Sequence, residues 1–499
     1  MNRKSDETAR STLDAAAQSS GDGSFGSRRI CYVNFASHLL NAYNPNMSHP
    51  GLPYRWSDDD WFRFIDMIAW FGFNVFEFWL EPRLFCREAV DSEIGREFAR
   101  QMSAVTEHAH RRGVKIELLA ALTTVGDVWH THCPRIPDEW REVLWLWDRW
   151  TRLLPGVDII GIFPGDPGGC SRNGCTHETY IDGSAEVAAL ARRNIPSVEI
   201  ELGTWGPPFF AWGIIKGPDG WQGEFVPRFQ GTAWAFDKPR ADAAMTCLLK
   251  RLPAFPPGTS VAINLGFNGD GNPTGEQDAR PWAREIAKTN RIYTWDYSLT
   301  EGENAIYPHY RFERLFARRR EERATAPYSG GICYTMTPLL NQLSLYESAV
   351  SFANPDGDHA AVAGEFFAKL FGDGGRPLAR LLPLMEVVPD WGHYAKLDLS
   401  RSAFHAKMNE TAELLRALDG RETAAIPFQP SLADYRRELL FFAELFADLS
   451  APAPDYDALR ARYWQRVYAI YDHLPRHVDP RPHAATDMLV RFFAEQYRG

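Results

Sequence analysis

The sequence predicts an α/β fold, a (β/α)8 barrel of the TIM type followed by an α-helical C-terminal domain. Three observations support this prediction. Eight short runs rich in β-branched and aromatic residues alternate with helix-like stretches between residues 30 and about 320. Their starts are about 28 to 44 residues apart, and no GxGxxG follows the first run, which favours a closed barrel over a doubly wound dinucleotide-binding sheet. Beyond residue 335 the pattern is helical.

Length and composition limit the classes of protein to which the chain can belong. With 499 residues it can form one large domain and an appended unit, and 45% hydrophobic residues predict a folded globular chain. A net charge of -10 provides no basic surface for nucleic acid, and no stretch is long and apolar enough for a membrane helix. We therefore expect the chain to bind a small ligand or a neutral polymer, and to bind neither nucleic acid nor a membrane. An oligomer is compatible with the sequence.

The predicted organisation has three parts. Residues 1–28 are rich in Ser, Gly, Asp and Ala, contain no apolar leader and are expected to form a flexible tail. Residues 29–330 form the catalytic barrel, and residues 331–499 form the helical domain. Seven cysteines, an odd number dispersed over a long chain, suit a reducing compartment, so the expected location is cytoplasmic.

The strands and the first helices can be placed in chain order. Ser57 precedes three aspartates, which predicts a capped helix that Gly72 closes before the second strand. Pro239 suits the first turn of a later helix. The eight predicted strands are 30–37, 73–80, 114–122, 158–164, 197–203, 225–234, 259–266 and 291–297. The predicted C-terminal helices are 338–352, 359–371, 378–387, 400–418, 432–449, 456–473 and 485–497.

The alternation of side chains along a strand predicts which residues face the barrel axis. In the second and fifth strands the apolar residues must face the helices, which turns Glu77 and Glu201 inward. The interior is therefore charged, although barrel interiors are usually filled by Val, Ile and Leu. The same rule turns further polar residues inward: Tyr32, Asn34, His38, Trp79, Glu81, Glu117, Glu199, Arg228, Gln230 and Asn264.

Depth in the barrel separates the predicted roles, because active sites of this fold lie at the C-terminal ends of the strands. Residues early in a strand are expected to form supporting ion pairs; they are Glu77, Glu117, Glu199 and Arg228, of which Arg228 is also a candidate for holding an anionic substrate group. Residues late in a strand, or just after it, are expected to be functional: Glu81, Asp166, Glu201, Trp205, Asn268, Asp270 and Asp296.

The strongest local signal is the turn FPGDPGGC after the fourth strand, which would present Asp166 at the barrel mouth, although an acidic residue in a turn can also serve only as a cap. Another is ELGTWG, where Glu201 is followed by Trp205. An indole face suits the C–H face of a sugar ring, and an apolar wall raises the pKa of a carboxyl beside it. Phe209 and Phe210 are expected to pack on the helical domain instead.

Two further segments carry carboxylates. The glycine-rich loop after the seventh predicted strand contains Asn268 and Asp270 but lacks the Lys-Ser/Thr ending of a phosphate loop. Asp296 lies at the end of the last predicted strand between Trp295 and Tyr297, a combination of carboxylate and aromatic residues that sugar sites use.

A metal site is not expected, and neither is a cofactor. Cys170, Cys175 and His177 have ligand chemistry, and His130, His132 and Cys133 follow the third strand, but C-x4-C-x-H is not a standard zinc spacing. Unligated thiols are the expectation, and metal binding is the alternative. The chain also lacks H-E-x-x-H, G-x-S-x-G and a P-loop, so nothing supports a serine hydrolase or a catalytic zinc.

Four segments give the chain a resemblance to a known group. They are WSDDDWFRFIDMIAWFGFNVFEFW, GDPGGC, WDY and YTMTPLLNQLSLYESAVSFANPDGD, and together they resemble the barrel glycoside hydrolases related to β-N-acetylhexosaminidases and α-glucuronidases over about residues 30–372. The resemblance implies an exo-acting glycosidase whose acid follows the fourth strand, at Asp166. The hexosaminidases carry an Asp-Glu doublet there, where this chain has Asp166-Pro167, so the resemblance does not extend to catalysis assisted by an N-acetyl group.

The resulting hypothesis is a glycoside hydrolase that acts on oligosaccharides or glycosides with two carboxyl groups. The expected catalytic residues are Asp166 and Glu201, with Asp296 and Asp270 in reserve. The expected substrate-binding residues are Asn34, His38, Glu81, Trp205, Arg228, Asn268, Trp295 and Tyr297. The alternatives are a metal-dependent sugar isomerase, epimerase or lyase on the same barrel, and a carbohydrate-binding protein without catalysis.

Overall fold

A computed structural model provides the structure of the chain. It describes residues 26–33, 56–80, 82–126, 130–165, 169–170, 172–204, 238–264, 280–296, 310, 312–335, 341–385, 399–423, 426–427, 431–459, 461–462 and 465. Side chains are described for these residues except 32, 33, 238–241, 264, 280, 296, 312–314, 334 and 335.

A closed barrel of eight strands in sequence order forms the core of the fold, which confirms the predicted fold class. The pairings from β2 through β7 are parallel, and their register places Glu77 opposite Glu117 and Gly161 opposite Glu201. The strands are β1 (Arg28–Val33), β2 (Val75–Trp79), β3 (Lys115–Ala121), β4 (Ile159–Phe163), β5 (Glu199–Gly203), β6 (Ser260–Asn264), β7 (Ile292–Asp296) and β8 (Gly330–Thr335).

One predicted strand is wrong and one was missed. β5 pairs directly with β6, as in Glu201 with Ser260, so the segment 225–234 is not a barrel strand between them; that segment lies outside the described residues. The barrel is completed instead by β8, in the sequence GGICYT. Aromatic and β-branched content made 225–234 look like a strand, whereas the two leading glycines of β8 disguised a real one. Asp296 therefore ends the seventh strand, not the eighth.

The helices follow in chain order. They are α1 (Asp58–Phe71), α2 (Arg87–Val90), α3 (Glu93–Arg111), α4 (Pro137–Leu153), α5 (His177–Asn194), α6 (Lys238–Arg251), α7 (Arg280–Ile286), α8 (Phe312–Thr325), α9 (Gln342–Ala353), α10 (His359–Phe371), α11 (Leu378–Leu381), α12 (Arg401–Ala417) and α13 (Leu432–Leu449). The predicted caps of α1 are confirmed, because the Ser57 hydroxyl accepts from the Asp60 amide and Gly72 adopts a left-handed φ of 99°.

The described residues fall into two compact units, one within 1–32, 74–296 and 322–332 and the other within 33–73, 297–321 and 333–499. In the first unit, aromatic residues pack between outward strand faces and helices, as Phe78 does against Phe98 of α3 with 6.0 Å between ring centroids. In the second unit, α12 packs along α13, where the rings of Phe404 and Phe446 lie 6.4 Å apart. Both units thus have an aromatic core of their own.

Two predicted boundaries change. Arg28, assigned to the flexible tail, is the first residue of β1 and is buried, because its side chain enters the acidic interior of the barrel. The predicted barrel end at residue 330 falls on the first residue of β8, so the barrel continues to Thr335. None of the described helices combines the length and the apolar character that crossing a bilayer requires.

Candidate active site

Three glutamates from different strands meet inside the barrel. Glu77 of β2, Glu117 of β3 and Glu201 of β5 are each the third residue of their strand, so the parallel register places them at a similar depth. One carboxylate oxygen from each lies within 4.8 Å of the others, and no more than 1% of any of these residues is exposed. We call these three residues the glutamate cluster. The predicted inward orientation of all three is confirmed, but the predicted difference in depth, with Glu201 late and Glu77 and Glu117 early in their strands, is wrong.

A glycine on β4 provides the space for this cluster. A Cβ atom at Gly161 would lie 2.8 Å from Oε1 of Glu117 and 2.8 Å from Cδ1 of Leu119, closer than real Cβ contacts come. Any side chain at this position would therefore have to displace the Glu117 carboxylate. The glycine in IIGIF is needed for this close approach.

Arg28 is the cation beside the cluster among the described residues. Its Nη1 lies 3.6 Å from Oε2 of Glu201, its Nη2 donates to Glu199, and its guanidinium carbon lies 4.5 Å from the centre of the Tyr293 ring. Glu199 also accepts from Nζ of Lys115 at 2.5 Å. Glu199 therefore forms the supporting ion pairs that were predicted for it, at the half-buried start of β5.

Glu77 and Glu117 do not form the ion pairs predicted for them in the described part of the chain. Neither oxygen of either carboxylate has a hydrogen-bond partner among the described residues. Burial, and then the neighbouring carboxylates, raise the pKa of Glu117 well above its ordinary value, and burial with repulsion from Glu201 does the same for Glu77. The cluster therefore favours protonated carboxyls.

Glu201 has a raised pKa that lies close to neutrality. Burial raises the pKa of Glu201 to about 7, although the Arg28 guanidinium opposes the shift. The pKa of Glu199, two residues earlier on β5, is instead lowered, because Arg28 and Lys115 outweigh its partial burial. Two glutamates on the same face of β5 thus differ in protonation near pH 7, and Glu201 is the one that can carry a proton.

Aromatic side chains lie on the C-terminal side of Glu201. The next inward residue of β5 is Gly203, and a Cβ atom there would lie 2.9 Å from both the Phe163 Cβ and the Trp295 ring. These two rings are 5.6 Å apart, and both residues are buried. Trp295, predicted to bind substrate, therefore packs against the strand that carries Glu201 and forms an apolar wall close to it.

The turn predicted to hold Asp166 has described ends. It directly follows β4, the strand next to β5, and its closure is seen in the Gly169 amide, which donates to the Pro164 carbonyl at 3.1 Å. Gly165 and Gly169 have left-handed φ angles of 73° and 79°, which glycine adopts without strain. Asp166 itself lies outside the described residues, so its role stays a prediction.

Most of the other predicted site residues have side chains outside the described part of the chain. Asp296 ends β7, but its side chain is not described. The remaining candidates also lie outside the described residues: Asn34, His38, Glu81, Trp205, Arg228, Asn268, Asp270 and Tyr297. Sequence reasoning missed the role of Arg28, although it has the same parity on β1 as Tyr32 and Asn34, which were predicted to face inward.

Comparison with known proteins provides a remote likeness. No protein-family profile and no curated protein sequence matches the chain. Among solved structures it is similar to a mutant of the O-GlcNAc hydrolase of Thermobaculum terrenum, at 13% identity and a TM-score of 0.48, covering 89% of this chain and 92% of that one. It is also similar to a GH138 enzyme targeting pectin rhamnogalacturonan II, at 9% identity and 0.48, covering 94% and 67%. At these scores the likeness assigns no activity to this chain.

Proposed function

We propose that this chain is a glycoside hydrolase that uses two carboxyl groups, Glu201 and Asp166. The observation that carries the proposal is the state of Glu201, an inward carboxyl of a closed barrel whose pKa burial raises to about 7. Such a group keeps its proton close to neutral pH and can still release it, which a general acid requires. The strand next to it ends in the glycine-bounded turn that contains Asp166.

The raised pKa suits Glu201 for donating a proton to the leaving glycosidic oxygen. Asp166 would then be the ionised partner, either as the base that takes a proton from water or as the nucleophile that bonds to the anomeric carbon. This assignment reverses the role that the resemblance implies for Asp166. In both cases the glycosidic bond breaks, water supplies the new hydroxyl, and the two carboxyl groups recover their initial protonation.

The proposed substrate is a sugar at the nonreducing end of an oligosaccharide or glycoside. Trp205 would provide a platform for the ring, with Trp295 and Tyr297 as further aromatic contacts. Hydroxyl groups would bond to Asn34, His38, Glu81 and Asn268, and Arg228 would serve an anionic substituent. Asp296 and Asp270 are the reserve carboxylates.

A panel of aryl glycosides tests the proposal, with Asp166→Asn and Glu201→Gln compared with wild type. We expect each variant to reduce kcat by at least about a hundredfold, the usual contribution of a general acid or base. Glu199→Gln is the matched control, because it changes the same strand two residues earlier and should retain most of the activity. Near-normal kcat in both variants, or no turnover of any glycoside by the wild type, would reject the proposal.

The roles of the two carboxyls can be separated by pH. If Glu201 is the acid, the basic limb of the kcat/KM profile, which reports groups of the free enzyme, should lie near pH 7 and be absent from Glu201→Gln. If Asp166 is the acid, that limb should remain in Glu201→Gln and disappear from Asp166→Asn.

A second candidate is a metal-dependent sugar isomerase, epimerase or lyase. The glutamate cluster favours it, because three buried carboxyl groups, each with one oxygen within 4.8 Å of the others, could bind a hard divalent cation. Arg28 competes with a cation at the same place. Activity on free sugars that disappears on chelation and returns with Mn²⁺ or Mg²⁺ would favour this candidate, whereas glycosidase activity that survives chelation would exclude it.

A further inference from the structure

Three cysteines from two separate loops meet in the barrel unit. Cys133 lies in the connection after β3, and Cys170 and Cys175 lie in the connection after β4. Their Sγ atoms all lie within 4.8 Å of one another, and the Sγ atoms of Cys133 and Cys175 are 3.6 Å apart. We call these residues the thiol cluster. Cys133 is 37 residues before the C-x4-C pair in the sequence, so only folding reveals that it belongs with them.

The separation of the sulfurs suits a shared metal ion. A tetrahedral zinc site with Zn–S bonds of about 2.3 Å places two sulfurs roughly 3.8 Å apart, whereas a disulfide requires about 2.05 Å. Soft thiolates select zinc over the hard cations magnesium and calcium. We propose that Cys133, Cys170 and Cys175 bind a zinc ion, with water as the fourth ligand. This proposal takes the alternative of metal binding in place of unligated thiols.

The loop between Cys170 and Cys175 is shaped to return the second thiol to the first. Asn173 and Gly174 both adopt left-handed φ angles, 53° and 69°, and the Cys175 amide donates to the Arg172 carbonyl at 2.9 Å. Asn173 is the one non-glycine residue with a positive φ in the described part of the chain. The unfavourable left-handed backbone of Asn173 therefore occurs in the turn that brings the thiols together.

Nitrogen donors approach two of the three sulfurs of the thiol cluster. The Arg172 amide donates to Sγ of Cys170 at 3.3 Å, and Nδ2 of Asn173 donates to Sγ of Cys133 at 3.5 Å. Such bonds to ligand atoms stabilise the charged form and orient it toward a metal. Two of the three sulfurs thus have donors already in place.

A polar frame joins the two loops around the thiol cluster. Glu139 accepts from the Cys133 amide at 2.5 Å and pairs with Arg172, whose Nη2 also donates to the Thr131 carbonyl at 2.8 Å. Arg135 lies in the connection after β3, and its Nη1 donates to the carbonyl of Asn173 in the connection after β4 at 3.0 Å. Three thiolates and a zinc ion carry a net charge of -1, which the nearby Arg135 and Arg172 can balance.

The test uses the full chain, purified under reducing conditions and stripped of metal. Zinc is titrated and counted by plasma mass spectrometry, and Co²⁺ is added as a spectroscopic probe. We expect one zinc per chain, and with Co²⁺ the thiolate-to-metal charge-transfer band and the intense visible bands of a tetrahedral site. Cys133→Ser and Cys175→Ser should each weaken zinc binding by at least about tenfold, the lower end of the effect of disturbing a metal site.

Two control variants locate the metal. Cys86→Ser lies outside the thiol cluster and should bind zinc as wild type does. Cys247→Ser tests a separate group with His177 and Glu178, and loss of zinc in this variant alone would move the site and overturn the proposal. A folded wild-type chain that binds neither Zn²⁺ nor Co²⁺, or a Cys133–Cys175 disulfide in protein kept reduced, would also overturn it. Because these outcomes concern wild type, they decide the question even if the serine variants do not fold.

Discussion

The glutamate cluster and the thiol cluster of the barrel unit are built in opposite ways. The glutamates are buried and occupy equivalent positions on three strands. The four carboxylate oxygens of Glu77 and Glu117 have no hydrogen-bond partner among the described residues. The thiols come from two loops, and backbone and side-chain donors approach two of the three sulfurs. The glutamates retain protons because their charged form is poorly solvated. Burial also raises the pKa of Cys170 and Cys175, but N–H donors that can stabilise a thiolate already approach two of the three sulfurs.

The comparison also separates Glu201 from Glu199 on the same strand. Arg28 contacts both, but only Glu199 also has Lys115, and it is exposed enough for water to help. Glu201, two positions further along β5 and deeper in the barrel, therefore has a raised pKa, whereas the pKa of Glu199 is lowered. Depth and the second cation at Glu199 together decide the protonation state of these carboxyls.

The largest expected effect on stability comes from removing Arg28. Arg28→Met should lower the free energy of unfolding by about 3–5 kcal/mol at pH 8, because it leaves buried carboxylates without their cation. Urea unfolding measures the change. Arg149→Met is the control, since its ion pair with Asp91 is exposed and should contribute little. Equal stability of the two variants would show that Arg28 is not the counter-charge of the cluster.

The pH dependence of stability tests the raised pKa of Glu201. The folded pKa is above the unfolded value, so the folded chain binds the proton more tightly, and this contribution is complete below about pH 4.5 and lost by about pH 7. The loss amounts to roughly 3 kcal/mol, from 1.36 kcal/mol per pKa unit. Glu201→Gln should remove this decline from the stability profile.

Glu199→Gln provides a control of opposite sign. The folded pKa of Glu199 is lowered, so its contribution is present above the unfolded pKa and lost as pH falls through the folded pKa. This variant should therefore flatten the acid side of the profile. If both variants changed the same limb, the contrast between the two glutamates would be wrong.

Removing metal from the thiol cluster should have a smaller effect. If zinc is held at a free concentration a hundred times its dissociation constant, its removal costs about 2.7 kcal/mol. Calorimetry with and without a chelator measures this as a lower Tm. The same chelator should leave the Tm of Cys133→Ser unchanged, and an equal decrease in that variant would mean that the metal is bound elsewhere.

The smallest expected effect concerns the glycine that makes room for Glu117. Gly161→Ala should destabilise the fold by about 1–3 kcal/mol, because the new Cβ meets the carboxylate and Leu119. Gly364→Ala in α10 is the matched control, since among the described residues no heavy atom beyond its chain neighbours and its own helix backbone lies within 4 Å of its Cβ position. Helix propensity should stabilise this variant by up to about 1 kcal/mol. Urea midpoints with opposite shifts are expected.

Local rules account for much of the fold. Alternation along β2, β3 and β5 correctly turned Glu77, Glu117 and Glu201 inward, because a strand has two faces and only one can meet the helices. Cap chemistry correctly placed both ends of α1 at Ser57 and Gly72. The same rules cannot show which runs pair, so the segment 225–234 was taken for a strand and β8 was not recognised.

The sequence by itself determined that a barrel of alternating elements would form and that its interior would be acidic, since these properties follow from periodicity along the chain. Tertiary structure alone decided that Glu77 and Glu117 share a layer with Glu201, that Arg28 lies beside them and that Cys133 meets Cys175. Those contacts depend on strand register and on how loops from different strands approach each other. The free energy of such contacts arises between residues distant in sequence, so no local pattern records them.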